Sequence, residues 1–300
     1  MTATLESLSR QIHSAEDLSS VVRTMKTLAA VSIRQYEDAV ESLRSYRHNV
    51  EDGLRMLLWD SDLTSVDPLA GLSSNRELAV VFGSDQGLCG QFNQQIVSFV
   101  VERFASQPDA DDEEEPTVIA VGHRCSALLE EAGFAVEACL PEANSVTAVT
   151  DCVQDLLTII DHTRLQHRTG RVALYFSQRT TATVTEPHRT RVLPVELRRF
   201  AGHWDSRRQS RSLPMHTLPC NELLSSLIRE YLFVSLFRAC AESLSSENAA
   251  RIQSMQTAER NITDRLRELR SELNQSRQTS ITEELLDVVG GFEVLRREDD

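Results

Sequence analysis

Glycine and proline are scarce and unevenly placed. The 300 residues include 11 Gly and 8 Pro, and neither type occurs in residues 1–52 or 220–289. Both stretches therefore lack the usual helix breakers and are free to form very long helices. Lysine is nearly missing, Lys26 being the only one among 31 basic residues. No apolar run approaches the length of a membrane-spanning helix, and the N-terminus Met1-Thr-Ala-Thr-Leu-Glu lacks a basic region followed by an apolar stretch. These absences predict a cytosolic protein without a secretory signal, able to dock on a membrane complex. The cysteines Cys89, Cys125, Cys139, Cys152, Cys220 and Cys240 form no CxxC pair, so neither a zinc site nor a redox dithiol is indicated; they read as reduced, small and mostly buried.

Charge is distributed in blocks. Residues 60–163 carry 19 acidic and 3 basic side chains, a balance of −16 against −14 for the whole chain, so the remainder sums to about +2. Within the acidic block, Asp109 to Glu115 reads as a solvated loop. Residues 164–215 carry 11 Arg against 3 acids, including Arg198, Arg199, Arg207, Arg208 and Arg211. That segment invites anionic partners, but Phe200 and Trp204 are its only interleaved aromatics. Nucleic acid is not expected as a partner, because the chain as a whole would be repelled by phosphates.

The first stretch has a regular apolar seam at 3,4 spacing: Leu5, Leu8, Ile12, Ala15, Val22, Ala29, Ile33, Tyr36, Val40, Leu43, Val50, Leu54 and Leu57. Ser19, Lys26 and Arg47 are the exceptions. Sustained over seven heptads, this is a coiled-coil pattern, and one such helix runs roughly 80 Å. The last stretch repeats it through Leu227, Tyr231, Val234, Ala241, Ile252, Met255, Ile262, Leu266, Leu269 and Leu273. The seam then shifts by one position to Ile281, Leu285 and Val288, and Gly290-Gly291 is expected to stop the helix. At about 1.5 Å per residue this second helix spans roughly 100 Å, and the two are most economically paired antiparallel.

Between the helices lies an α/β pattern. Leu78–Phe82, Thr117–Val121, Val172–Phe176 and Val192–Leu197 read as strands. Apolar positions at helical spacing follow the first through Ile96, Val97, Val100 and Phe104, with further helices from Cys125 to Glu131 and through Val149, Val153, Leu156, Leu157 and Ile160. The expected fold class is α/β: a long antiparallel coiled coil of N- and C-terminal helices plus a central Rossmann-like α/β domain with a mostly parallel sheet. The expected boundaries are residues 1–59 for the first helix, 60–212 for the α/β domain and 213–300 for the last helix.

No motif carries catalysis. The turn Gly83-Ser-Asp-Gln-Gly-Leu-Cys-Gly90 spaces its glycines as G-x3-G-x2-G, which fits neither dinucleotide nor P-loop cradles, and no lysine or hydroxyl follows to hold a phosphate and magnesium. Gly87 and Gly90 are expected instead to permit a tight turn and close packing of helix on strand. The eight histidines show no metal-ligand spacing, G-x-S-x-G is missing, and Cys89 has no evident base. Glu283-Glu284 reads as a solvated helix face. No catalytic, metal or cofactor site is expected, which points to a structural or mechanical protein. Lys26 interrupts the seam, where a charge costs coiled-coil stability unless it points out to a partner or snorkels harmlessly.

Three segments together resemble the γ subunit of F-type ATP synthases. Ile12-His-Ser-Ala-Glu-Asp-Leu-Ser-Ser-Val-Val-Arg-Thr-Met-Lys-Thr-Leu-Ala-Ala30 is similar to the family's I-x-S…I-T-x-A-M-x-M-V-A-A, and Ser84-Asp-Gln-Gly-Leu-Cys-Gly-Gln-Phe-Asn93 to S-D-R-G-L-C-G-G-F-N. In the last helix, Glu242-Ser-Leu-Ser-Ser-Glu-Asn-Ala-Ala-Arg251 resembles E-S-x-x-S-E-x-A-A-R. The segment from Asn274 to Gly290 resembles Y-N-x-x-R-Q-x-x-I-T-x-E-x-x-E-I-x-x-G. Motif order and chain length match from end to end.

The resemblance implies a central rotor stalk that passes torque between a membrane c-ring and a ring of α and β subunits, with ε at its foot. It also implies no cofactor and a peripheral place on the cytoplasmic face of the bacterial inner membrane. By the same resemblance Met25 and Lys26 fall where the family's first helix meets a lever of a β subunit. Arg251 falls where the last helix couples to the ring, and Arg277, Gln278 and Thr282 on the catch that hydrogen-bonds a β subunit. Glu284 matches the acid of that segment. Departures occur at Val22-Arg-Thr-Met25, Gln86 and Leu273, and in the reduced stretch Pro214 to Pro219. They make the foot more divergent than the shaft, which the resemblance reads as a variant such as the N-type ATPases. A coiled-coil scaffold or adaptor with an α/β sensor domain is the alternative reading, distinguished by failure to associate with an ATPase ring; a nucleotide-binding enzyme would bind ATP or NAD as the isolated chain.

Overall fold

A computed structural model describes residues 2–60, 74–106, 116–181, 184–195, 200 and 216–298. In chain order the elements are α1 (Thr2–Asp60), β1 (Ser74–Phe82), α2 (Phe92–Ala105), β2 (Thr117–Val121), α3 (His123–Glu131), β3 (Val136–Leu140), α4 (Val146–His167), β4 (Thr169–Arg179), β5 (Thr185–Leu193) and α5 (Cys220–Glu298). The chain divides into two compact units, one of residues 29–253 and the other of residues 1–28 with 254–300.

The larger unit is built on a five-stranded sheet of order β3-β2-β1-β4-β5, in which β1 pairs in parallel with β2 and β4, β2 with β3, and only β5 runs antiparallel. Strand side chains alternate between the faces. Ala79, Val81, Val118, Ala120, Ala173 and Tyr175 pack under Ile96, Val97 and Val100 of α2 and Cys125 and Leu129 of α3. Leu78, Val80, Phe82, Ile119, Val121, Val172, Leu174 and Phe176 face the other way, into a core shared with α4, with Leu54 and Leu57 of α1, and with Leu232, Leu236 and Leu244 of α5. Burial on both faces is why β1, β2 and the middle of β4 read as continuous apolar runs. α4 begins where Ser145 Oγ accepts a bond from Ala148 N at 3.2 Å, and it ends at Arg168 in the left-handed region.

Three expectations change here. β5 lies at Thr185–Leu193 rather than Val192–Leu197, of which residues 196–197 lie outside the described residues, as does the acidic loop Asp109 to Glu115. β3 has no counterpart in the sequence reading. The close approaches belong to other glycines than Gly87 and Gly90. A Cβ on Gly83 would stand 2.3 Å from Cys125 Cβ, and one on Gly122 (φ +103) 2.6 Å from the Ser84 carbonyl carbon, whereas Gly87 and Gly90 have open space; Gly90 supplies only a positive φ to the turn.

In the smaller unit the start of α1 runs antiparallel to the later part of α5. Glu16 pairs with Arg270 at 2.7 Å, while Arg23 and Lys26 both reach Glu259, at 3.0 and 2.6 Å. Ser19 and Val22 are buried on α1, and Met255 and Leu269 on α5, while Ile12, Ile262, Leu266 and Leu273 are half-buried. The seam read from the sequence is therefore the packed stripe. Beyond Leu273 the packing keeps its original phase: Ser276, Ser280 and Glu283 are half-buried, and Ile281, Leu285 and Val288 are exposed rather than taking over the seam. Nor does α5 stop at Gly290-Gly291. It continues to Glu298, because a glycine in a helix interior costs only about 1 kcal/mol relative to alanine and Phe292 to Glu298 contain no breaker.

Candidate functional site

The order of the sheet reverses between β1 and β4, so the crevice at their carboxyl ends is where an open α/β sheet ordinarily admits a ligand. The turn Gly83–Gly90 rims it. Its first backbone donors are engaged: Gly83 N donates to Val121 O at 2.9 Å, Ser84 N to Asn93 Oδ1 at 3.0 Å and Asp85 N to Glu142 Oε2 at 3.0 Å. Asp85 in turn accepts from His123 N and Glu142 N, both at 2.9 Å, which ties the turn to α3 and to the loop before α4. Asn93 closes the turn from below by donating to Ser84 Oγ at 2.7 Å. Cys89 lies beside Ser84 Oγ (3.6 Å) and Asn93 Nδ2 (3.8 Å), and burial pushes its thiol up, which disfavours the reactive thiolate.

The crevice is filled from above by α5. Ser243 Oγ donates to Phe82 O at 3.3 Å, at the end of β1, and Ser246 Oγ to Ser177 O at 2.9 Å, on β4. Glu247 is fully buried and joined to Arg251 by a short ion pair, and Arg251 also donates to Asn248 Oδ1 at 3.3 Å. Burial, with Glu142 opposite as hydrogen-bond partner and like charge, pushes the Glu247 carboxyl up to about 10, and Arg251 opposes this. The geometry alone reads as a carboxylate–guanidinium pair. Two facing carboxyls and one guanidinium are neutral together only with one retained proton, and burial favours that neutral arrangement. The sequence reading missed the functional weight of Asp85, Glu142 and Glu247. The available signal was the polar cluster Glu242, Ser243, Ser245, Ser246, Glu247 and Asn248 on an amphipathic helix, since six such residues beside strand ends need buried partners.

The residues singled out from the sequence fall in three places. Met25 and Lys26 are half-buried, and Lys26 is neither free nor merely snorkelling: it makes an ion pair with Glu259, whose carboxyl Lys26 and then Arg23 hold below the usual range. Arg251 turns inward to Glu247. Arg277, Gln278, Thr282 and Glu284 are exposed on α5, Thr282 Oγ1 donating to Gln278 O at 2.9 Å within the helix. The exposed Ile281, Leu285, Leu286, Val288 and Val289 lie in the same stretch. The structure thus brings Arg277, Gln278, Thr282 and Glu284 together and leaves Arg251 in a separate setting. No group of three or more potential metal ligands occurs among the described residues.

A family model described as ATP synthase matches residues 4–295. The chain belongs to the ATP synthase γ-chain family. The ATP synthase gamma chain of Lachnoclostridium phytofermentans is 24% identical over 292 residues, covering 96% of this chain and 98% of that one. That of Rubrobacter xylanophilus is 29% identical over 301 residues, with 98% and 99% covered. Among solved structures, a chain of the Euglena gracilis mitochondrial ATP synthase in its OSCP/F1/c-ring assembly superposes with a TM-score of 0.66 at 18% identity, covering 100% of this chain and 97% of that one. A chain of the rotor of the same enzyme gives 0.60 at 18% identity, with 94% and 100% covered. At that identity the superpositions establish the γ-chain fold, α/β with long terminal helices.

Proposed function

We propose that the chain is the central rotor stalk of an ion-translocating F-type ATP synthase or ATPase, turning between a membrane c-ring and a ring of α and β subunits, with ε at its foot, and that it has no catalytic site of its own. The observation that carries the non-catalytic part is the filled crevice. The place where a nucleotide would enter holds serines of α5 bonded to strand carbonyls, and in the turn beside it Ser84 N is spent on Asn93 and Asp85 N on the Glu142 carboxylate. Catalysis then belongs to the partner ring, and the chain's contribution is mechanical. Paired helices joined by a narrow seam and by ion pairs such as Lys26–Glu259 suit transmission of torque. No described helix is long and apolar enough to cross a membrane, so attachment at the cytoplasmic face of a bacterial inner membrane would come through the complex. Titration of the isolated chain with ATP in a calorimeter is expected to show no saturable heat at micromolar concentrations; stoichiometric binding would remove the non-catalytic reading.

The exposed face around Arg277, Gln278, Thr282 and Glu284 is the surface offered to a β subunit, with Met25, Lys26 and Arg251 as further contacts of the rotor. Its polar groups protrude from a helix whose own packing does not use them. Replacing Gln278 by Leu keeps bulk and removes the amide. The stability of the isolated chain, read from its melting temperature, is expected to change by no more than about 0.5 kcal/mol, as for exposed sites generally. A partner group left unpaired in the complex costs about 1–3 kcal/mol, so ATPase turnover of the assembled enzyme should fall about tenfold. A large fall in melting temperature with unchanged turnover would place Gln278 in the chain's own interior.

A further inference from the structure

We propose that the Ser243–Arg251 segment of α5 is the joint through which the α/β domain turns the helix, with Glu247 as its positioning residue. The inference rests on the rotor reading and adds where, inside the chain, torque is handed over. Apolar packing is non-directional, so a helix held on a sheet only by leucines can roll about its own axis at little cost. Directional bonds resist that motion. Among the described residues, those that α5 makes to strand carbonyls lie in one stretch. Ser243 and Ser246 bond backbone carbonyls of two different strands, at Phe82 and Ser177, and Glu247 lies one residue further on beside Glu142. Glu142 is itself fixed by exchanging bonds with Asp85, which also receives His123 N. The bonded chain therefore runs from the Gly83–Gly90 turn and α3 to the loop before α4, whose Glu142 stands close enough to Glu247 to push its carboxyl up.

Burying Ser243, Ser246, Glu247 and Asn248 together is costly where leucine would pack more cheaply, so the segment is built for one rotational setting of the helix rather than for adhesion. Glu247 sits at its centre, faced by Glu142 from the loop before α4, Arg251 from its own helix, Tyr36 from α1 and Cys89 from the turn. Its carboxyl keeps a proton in the folded chain up to about 10, whereas in the unfolded chain it releases one near 4.5. Between those limits the folded state binds one more proton, so stability falls as pH rises.

The test uses the assembled enzyme and the full-length chain. In Glu247→Ala the number of ions pumped per ATP hydrolysed by the assembled complex should fall, because a helix no longer held in one rotational setting lets the domain slip. Ser246→Ala, which removes little volume, should lower the same ratio. Glu247→Gln, which mimics the protonated carboxyl, should restore the ratio, and the chain carrying it should lose the decline in melting temperature expected of the unaltered chain from pH 6 to 9. An unchanged pumping ratio in both Glu247→Ala and Ser246→Ala, or a Glu247→Gln chain with the same pH slope as the original, would overturn the joint. A wild-type chain that never assembles with an ATPase ring would instead remove the rotor reading, and the joint with it.

Discussion

Replacing Leu269 by proline is expected to abolish ATP-driven ion pumping while leaving the α/β domain folded. Proline in a helix interior removes one backbone bond and clashes with the preceding turn, at a cost of about 3 kcal/mol or more. Leu269 is also one of the few fully packed side chains of the smaller unit, so its loss forfeits about 1.5–3 kcal/mol of burial besides. That unit has no sheet and no second core to absorb the damage. Hydrogen exchange should show loss of protection in residues 254–298 and 2–28, with protection of β1, β2 and β4 retained. Normal pumping by a complex carrying the proline would show that the continuous α5 helix is dispensable.

The second large effect is expected at Gly122. Alanine there must adopt φ +103, outside the comfortable range of an L residue, with its Cβ within 3 Å of three backbone atoms of Ser84. Nothing flexible can yield, because Ser84 O is fixed by Arg124 N at 3.1 Å and Ser84 N by Asn93. Gly122→Ala should destabilise the chain by about 3 kcal/mol or more, at the upper end of single substitutions. Gly87→Ala, in open space and without a positive φ, should change stability by about 0.5 kcal/mol or less. Chemical denaturation of the two variants checks the pair. Equal effects would mean that the turn is held by its glycine spacing, as the sequence suggests, and not by the contact between Gly122 and Ser84.

That contrast shows what the sequence could and could not convey. Periodicity identified both long helices, because a 3,4 apolar seam has no other economical use, and it located β1, β2 and β4, because burial on both faces leaves an uninterrupted apolar run. The edge strands were hidden. Val136–Leu140 is only five residues long with Glu137 in it and no long apolar run, and β5 carries Glu186, His188, Arg189 and Arg191, so neither stands out as a strand. Helix termination was misjudged at Gly290-Gly291 and the seam shift at Ile281, since a one-dimensional pattern does not reveal which stripe finds a partner. Arg277, Gln278 and Thr282 were legible only through resemblance. Glu247, Glu142 and Asp85 are far apart in sequence, and only the fold shows that they meet.

The most direct test of the account is to express the chain with an affinity tag in a cell that carries the cognate ATPase, isolate it under mild conditions and identify what accompanies it. The account predicts α and β subunits in equal amounts, three of each per tagged chain, with ε and the c-ring, and ATP hydrolysis by the isolated complex. Recovery of the chain as a self-associated coiled coil with no ATPase subunits would contradict it.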